Sequence, residues 1–203
     1  MKLYYAQTSP YVRKALVVAN EVGIEGQLEK VDCSTTTPVN PDQSNANPLK
    51  KIPALELDDG MILFDSPVIC EYLDTALGNG SLFPNDLPAR WIALRFQALG
   101  DGLLDAAILL RYETVLRPEN LCWDKGVTAQ MNKIDDALAD MENHAASFGE
   151  RIDIGTISVA CAVGYLDFRF KDKDWRTDCP TLAAWYEGFA KRPSMQATRP
   201  PDL

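Results

Sequence analysis

The chain has one histidine, no C-x-x-C pair and no surplus of positive charge, and each shortage removes a class of function. With His144 alone, no mechanism needing two imidazoles can operate, and a Ser-His-Asp triad would rest on one unsupported residue. His144 is read as a surface or helix-end residue. The five cysteines, Cys33, Cys70, Cys122, Cys161 and Cys179, are scattered, so neither a zinc knuckle nor a dithiol motif can be drawn and free thiols are expected. Twenty basic against 29 acidic residues leave a formal net charge of −9, which repels nucleic-acid phosphates and anionic lipid alike. No apolar run reaches the roughly 18 residues of a membrane span, and the opening MKLYYAQTSP lacks the basic-then-apolar order of a secretory signal. The expectation is a cytoplasmic protein with no nucleic acid, membrane or metal partner and no permanently bound cofactor.

What is present divides the 203 residues in two. Up to about residue 78, strand-like and helix-like patterns alternate. Lys2 to Ala6 reads as a strand, and Val12, Ala15, Leu16, Ala19 and Val22 share a helical face between Pro10 in a first turn and Gly23 at a C′ position. Leu28 to Val31 reads as a second strand. Ser34 to Pro48 is polar with three prolines and reads as loop or irregular helix. Asp58-Asp59-Gly60 between Ala54–Leu57 and Met61–Phe64 signals a hairpin, and Ser66-Pro67 opens a helix to about Leu77. The order predicts a small mixed sheet with helices packed on it.

Residues 79–88, rich in glycine and proline, read as a linker, and 89–203 as all-helical. Trp91, Leu94, Arg95, Ala98, Leu99, Gly102, Leu103, Ala106 and Leu110 mark one long helix; Ile134, Leu138 and Met141 mark the next. Ile157 to Phe168 is apolar all round, as in a helix buried at the centre of a bundle. Leu182, Trp185, Tyr186 and Phe189 give a last amphipathic helix before a Pro-rich tail.

Three segments of the first region carry chemistry. Thr8-Ser9-Pro10-Tyr11 and Asp65-Ser66-Pro67 each put a serine at a helix start, where unpaired N–H groups and a partial positive charge stabilise an anion. Two such ends suit a ligand with two anionic groups; equally, each serine suits a plain N-cap followed by proline. In Lys51-Ile52-Pro53-Ala54-Leu55 the proline before an apolar strand suits either a cis turn, which would turn the Ile52 backbone outward to pair with a small peptide, or an ordinary loop.

The segments T-S-P-Y-V-R-K, N-P-L-K-K-I-P-A-L and D-S-P-V-I-C-E-Y-L resemble the glutathione site of the glutathione transferase family. D-I-G-T-I-S-V-A-C-A-V-G-Y-L-D-F-R-F and the closing R-P-S-M-Q-A-T resemble its helical domain, so the likeness spans the chain, nearest to small bacterial members of the serine type. The resemblance implies an α/β thioredoxin-like N-terminal domain (1–78), an all-α C-terminal domain and a homodimer. It implies that Ser9 donates its hydroxyl to the glutathione sulfur and holds it as a thiolate. Ile52 before a cis Pro53 would pair with the cysteinyl backbone, Asp65 and Ser66 would hold the γ-glutamyl end, and Lys51 would attract the glycyl carboxylate. Glutathione is then a substrate, and the thiolate attacks a small apolar electrophile or a peroxide. Tyr11, Leu104, Ile108, Tyr112 and Tyr165 are the candidates for the second-substrate pocket. Asp101 and Asp105, one turn apart, suit either a partner subunit's ligand or a solvated face.

Two positions depart from the family pattern. Thr156 stands where an acidic residue usually completes the helix cap begun by Asp153, and Lys50 stands where glycine is more usual. Three rival readings remain. One is a cysteine-type thiol-disulfide enzyme, whose nearest thiol in sequence would be Cys33; another is a non-catalytic binding or interaction protein; the third is a glutathione-dependent isomerase or dehalogenase.

Overall fold

The computed structural model describes residues 1–34 and 44–201, so most of the polar stretch read as irregular, residues 35–43, lies outside the described residues. Four strands, β1 (Lys2–Tyr5), β2 (Glu29–Asp32), β3 (Ala54–Glu56) and β4 (Ile62–Leu63), form one sheet in the order β2-β1-β3-β4. β1 runs parallel to β2 and antiparallel to β3, and β3 pairs antiparallel with β4 across the expected Asp58-Asp59-Gly60 turn. Gly60 takes φ 87°, the left-handed conformation that a side chain disfavours.

On one face of the sheet Leu3 and Leu55 face each other in register and are fully buried. They sit in the same core as Val17 and Val18 of α1 (Pro10–Glu21) and Ile69 of α2 (Ser66–Tyr72). Tyr4, Ala54 and Cys33 form a smaller cluster on the other face. α1 ends as its sequence requires: Val22 is the C-cap, and Gly23 at φ 75° returns its N–H to the Asn20 carbonyl at 3.1 Å. α2 runs on into a π-helical turn, Leu73–Leu77. There buried Asp74 accepts from the N–H groups of Leu82 and Phe83 at 3.1 and 3.0 Å, fastening the following segment.

The helical region holds α3 (Leu87–Arg111), α4 (Asp124–Ala145), α5 (Ile154–Arg169), α6 (Trp175–Asp178), α7 (Pro180–Phe189) and α8 (Pro193–Ala197). α3 starts inside the stretch read as a linker, with Asp86 as N-cap and Pro88 in its first turn. Its buried face only partly matches the expected residues. Leu103, Ala106 and Leu110 are buried, joined by Ala93, Phe96, Gln97, Gly100, Leu104 and Ala107, whereas Trp91, Arg95, Ala98 and Gly102 face outward. Over 25 residues apolar side chains recur on more than one side, so periodicity alone does not choose the buried face.

α5 is buried from Ile154 through Leu166 and packs along α3 so closely that a Cβ on Gly100 would lie 2.8 Å from the Ser158 backbone. Its start explains the departure at Thr156. Asp153 accepts from the Thr156 N–H at 2.9 Å, and the Thr156 hydroxyl accepts from the Asp153 N–H at 3.0 Å, so threonine completes the reciprocal cap usually made by an acidic side chain. The closing segment read as a Pro-rich tail begins with the short helix α8. Glu21 anchors it to α1 by accepting a two-pronged bond from Arg192 at 2.9 and 2.8 Å and another from the Ser194 hydroxyl.

Candidate functional site

Sheet register gathers the three chemical segments. β1 pairs Tyr4 with Ala54, and β3 pairs Leu55 with Leu63. Continued one or two residues past the strand ends, this register sets the turn after Tyr5, the Ile52–Pro53 bond and the Phe64–Asp65 bond side by side along the edge of the sheet formed by the strand ends, where β1 and β4 finish and β3 begins. The starts of α1 and α2 therefore open at that edge, flanking the loop before β3.

At the first of these, Ser9 is the N-cap of α1 and is half-buried. Its N–H donates to the Ala6 carbonyl at 3.0 Å, and its Oγ accepts from the Val12 N–H at 3.3 Å, which leaves the hydroxyl proton free to be donated outward. Pro10 at the first helical position has no N–H to satisfy.

The Ile52–Pro53 peptide is cis, the alternative in which the loop presents its backbone; Phe64–Asp65 is cis as well. Sequence reading missed what holds this loop. Asn45 and Asn47 are almost fully buried, and their side-chain amides donate to the Lys51 carbonyl at 3.1 and 2.9 Å. Their side-chain oxygens accept from the N–H groups of Asn47 and Leu49 at 2.9 Å each. The N-x-N spacing before Pro48 was the available signal. Lys50 adopts φ 54°, the left-handed region, which explains why glycine suits this position; its ammonium donates to the Asn45 carbonyl at 2.8 Å. Lys51 is exposed beside it.

At the second helix start Ser66 is buried with a relative exposure of 2%, while Asp65, the N-cap, is exposed and makes no side-chain capping bond. The first turn of α2 thus keeps its orphan N–H groups and an unengaged carboxylate at the sheet edge.

A narrow cleft adjoins Ser9, lined by Thr8, Ser9, Arg13, Cys161, Tyr165 and Pro200. It joins Ser9 to Tyr165 among the second-substrate candidates, and it includes Arg13, Cys161 and Pro200, which sequence reading did not single out. Arg13 lies one turn after Ser9 on α1, is 8% exposed, and donates to the Met195 carbonyl at 3.3 Å. Tyr11 is half-buried, and its hydroxyl donates to Asp105 on α3. Burial first, and then that bond, push its phenol far above the ordinary range, so it stays protonated. Ile108 on α3 is half-buried, and Tyr112, in the π-helical turn just past the end of α3, is exposed. Leu104 is fully buried in the core and does not line the cleft, because it belongs to the face of α3 that packs on the bundle.

Asp101 and Asp105 both bond within the chain. Fully buried Lys14 donates to both oxygens of Asp101 at 2.6 Å, and burial raises the Asp101 carboxyl against that attraction. Cys33 is 1% exposed behind the site. Cys70 and Cys161 are buried, and desolvation pushes their thiols up to about 12 and about 11, so neither offers a thiolate near neutrality. His144 is exposed near the end of α4, where its Nδ1 lies 2.8 Å from the Asp140 carbonyl. No group of three or more metal-binding side chains and no helix long and apolar enough to cross a membrane occurs among the described residues.

Residues 8–76 match the family model described as glutathione S-transferase, N-terminal domain, and residues 124–188 the one described as glutathione S-transferase, C-terminal domain. The uncharacterized GST-like protein YibF of Escherichia coli K12 is 32% identical over 206 residues, covering 99% of both chains. Among solved structures, a glutathione transferase family member from Pseudomonas fluorescens Pf-5 with bound glutathione is 46% identical. It superposes with a TM-score of 0.95 over 99% of both chains. A glutathione S-transferase from Methylobacillus flagellatus KT, also with glutathione bound, is 37% identical with a TM-score of 0.90 over 98% of this chain and 99% of that one.

Proposed function

Because the chain belongs to the glutathione S-transferase family and has its thioredoxin-like plus all-helical fold, we propose that it is a transferase that binds glutathione at the sheet edge and uses Ser9 to hold the sulfur as a thiolate. The observation that carries the reading is the convergence of the α1 start, the Ile52–Pro53 loop and the α2 start at one edge. Glutathione has a thiol in the middle, a peptide backbone around it and charged ends, and that edge offers a partner for each. The Ser9 hydroxyl meets the sulfur, the Ile52 backbone pairs with the cysteinyl unit, and the Asp65 carboxylate faces the γ-glutamyl ammonium. The Ser66 hydroxyl and the open α2 amides face the γ-glutamyl carboxylate, and Lys51 faces the glycyl carboxylate.

The energetics suffice. A thiol with a pKa of about 8.5 is only a few per cent ionised at neutral pH, and lowering it by about two units needs roughly 2.7 kcal/mol. A hydrogen bond to a charged acceptor contributes about 1.5–3 kcal/mol and a helix N-terminus about 0.3–1 kcal/mol. Ser9 need not ionise. The thiolate then forms a bond to an electrophilic carbon while the leaving group departs with its electron pair.

We further place the protein in the cytoplasm as a homodimer. Val68 on α2 and Leu87, Trp91 and Ile92 on α3 are exposed apolar side chains, and the Arg90–Glu71 ion pair joins the two helices beside them. Such a patch supports a self-complementary interface.

Calorimetric titration of glutathione into wild type and Ser9→Ala, with the ultraviolet absorption of the bound thiolate recorded, tests the central claim. Wild type should bind glutathione and show thiolate near neutral pH, with the signal lost in the variant. Absence of binding to wild type would overturn the transferase reading.

A further inference from the structure

Two arginines stand at the C-terminal ends of α3 and α5 with no ion pair among the described residues. Arg111 closes α3 and Arg169 closes α5, and these helices pack along each other. Arg169 lies over the Phe168 ring, its Cζ 3.9 Å from the ring centre, and its Nε is buried without a hydrogen-bond partner. Arg111, half-buried, forms no hydrogen bond or ion pair among the described residues. α3 and α5 run side by side in the same direction, with Gly155 against Ala93 and Phe96 and Gly100 against Ser158, so Arg111 and Arg169 end their helices at the same end of the bundle. Burial first, and then the Arg111 charge, hold the Arg169 guanidinium below its ordinary range.

The carboxylates of α3 nearest the cleft are engaged elsewhere, Asp101 by Lys14 and Asp105 by Tyr11. A basic residue in the last turn of a helix complements its negative end, which accounts for part of the placement. It does not account for a buried Nε without a partner or for the approach of two like charges in a chain with 29 acidic residues.

Tyr165 connects this pair to the site. It lines the cleft with Ser9, and Arg169 follows it by one helical turn on the same side of α5. Tyr165 therefore lies between Ser9 and the helix ends that carry the two guanidiniums. Paired guanidinium N–H groups fit a carboxylate in geometry and charge.

We propose that Arg111 and Arg169 form a carboxylate-recognition subsite at the outer end of the second-substrate pocket, so that the preferred electrophile carries a carboxylate across an apolar ring or short chain from its reactive carbon. This narrows the small apolar electrophile of the transferase reading and rests on that reading.

The test compares 4-chloro-3-nitrobenzoate with its methyl ester, which share a reactive carbon and differ in charge; because the ester activates the ring more strongly than the carboxylate does, each kcat/KM is divided by that probe's uncatalysed rate with glutathione before preferences are compared. With either probe the glutathione sulfur bonds to the chlorine-bearing carbon, chloride leaves with the C–Cl electron pair, and the thiol proton passes to solvent. Wild type should prefer the acid by about tenfold or more in kcat/KM. Arg111→Gln and Arg169→Gln should each lose about tenfold on the acid, with the ester changing by less than about twofold, and Arg169→Lys should recover part of the loss. Preference for the ester, or equal losses on both probes, would overturn the subsite. If glutathione binds but neither probe turns over, calorimetry of the two finished conjugates decides: tighter binding of the acid conjugate, abolished in the Gln variants, supports the subsite, and equal binding overturns it. If glutathione itself does not bind wild type, the transferase reading falls and the subsite with it.

Discussion

At the start of α5, Asp153 and Thr156 bond each other's backbone N–H, and Arg151 meets the second Asp153 oxygen at 2.7 Å. At the start of α2, Asp65 occupies the equivalent capping position and makes no capping bond, with Ser66 buried beside it. Both helix starts pair an aspartate with a hydroxyl residue. One is closed on itself and buried in the bundle, so its polar groups stabilise the fold; the other leaves its donors and its carboxylate unengaged at the sheet edge. What separates a structural cap from a binding cap is therefore whether the protein already occupies the cap's hydrogen bonds, which residue identity does not reveal.

The start of α1 lies between these extremes, since Ser9 caps Val12 at 3.3 Å yet retains its hydroxyl proton, and it carries the largest expected effect. Ser9→Ala should lower kcat/KM toward a neutral aryl halide by about a hundredfold or more. The lost cap should cost only about 1 kcal/mol in denaturant unfolding. Equal losses in activity and stability would make Ser9 a cap like Asp153. Next, Asp153→Ala should reduce unfolding stability by about 2 kcal/mol while glutathione affinity is unchanged, as calorimetry on the folded variant would show. Asp65→Asn should do the reverse. Glutathione affinity should fall about tenfold, with the melting temperature scarcely moved because no capping bond is lost.

The smallest effect concerns Glu21, whose bonds fasten α8 to α1. Burial favours its neutral form, but the bonds from Arg192 and Ser194 prevail and hold its carboxyl below the ordinary range. A depressed folded pKa contributes stability above the unfolded value of about 4.3, and the contribution disappears as pH falls through the folded value. Wild type should therefore exceed Glu21→Gln by about 1 kcal/mol at neutral pH, the gap closing below pH ~4 in thermal melts. A gap that persists in acid would assign the difference to packing.

Much of this was legible in the sequence because the governing physics is local. Pro10 and Gly23 bracket α1, the Asp58-Asp59-Gly60 turn makes the hairpin, and the all-round apolar character of Ile157 to Phe168 announces a central helix. The buried face of α3 was only partly legible, because it depends on which side of a long, broadly apolar helix α5 covers. Leu104 was expected in the pocket because α3 runs beside the site, and it belongs to the core. Thr156 read as a departure since a threonine's capping role depends on where its hydroxyl points, and Asn45 and Asn47 read as loop polarity until both were found on the Lys51 carbonyl.

By itself, then, the sequence determined the longer elements, their order and the three segments able to meet an anion and a peptide backbone, because capping, turn chemistry and periodicity act over a few residues. Only the tertiary structure decided that those segments share one sheet edge, that Asp101 and Asp105 are taken up by Lys14 and Tyr11, and that α3 and α5 run side by side to end in Arg111 and Arg169. These are facts of register and of helix-on-helix packing, set by contacts between residues far apart in the chain.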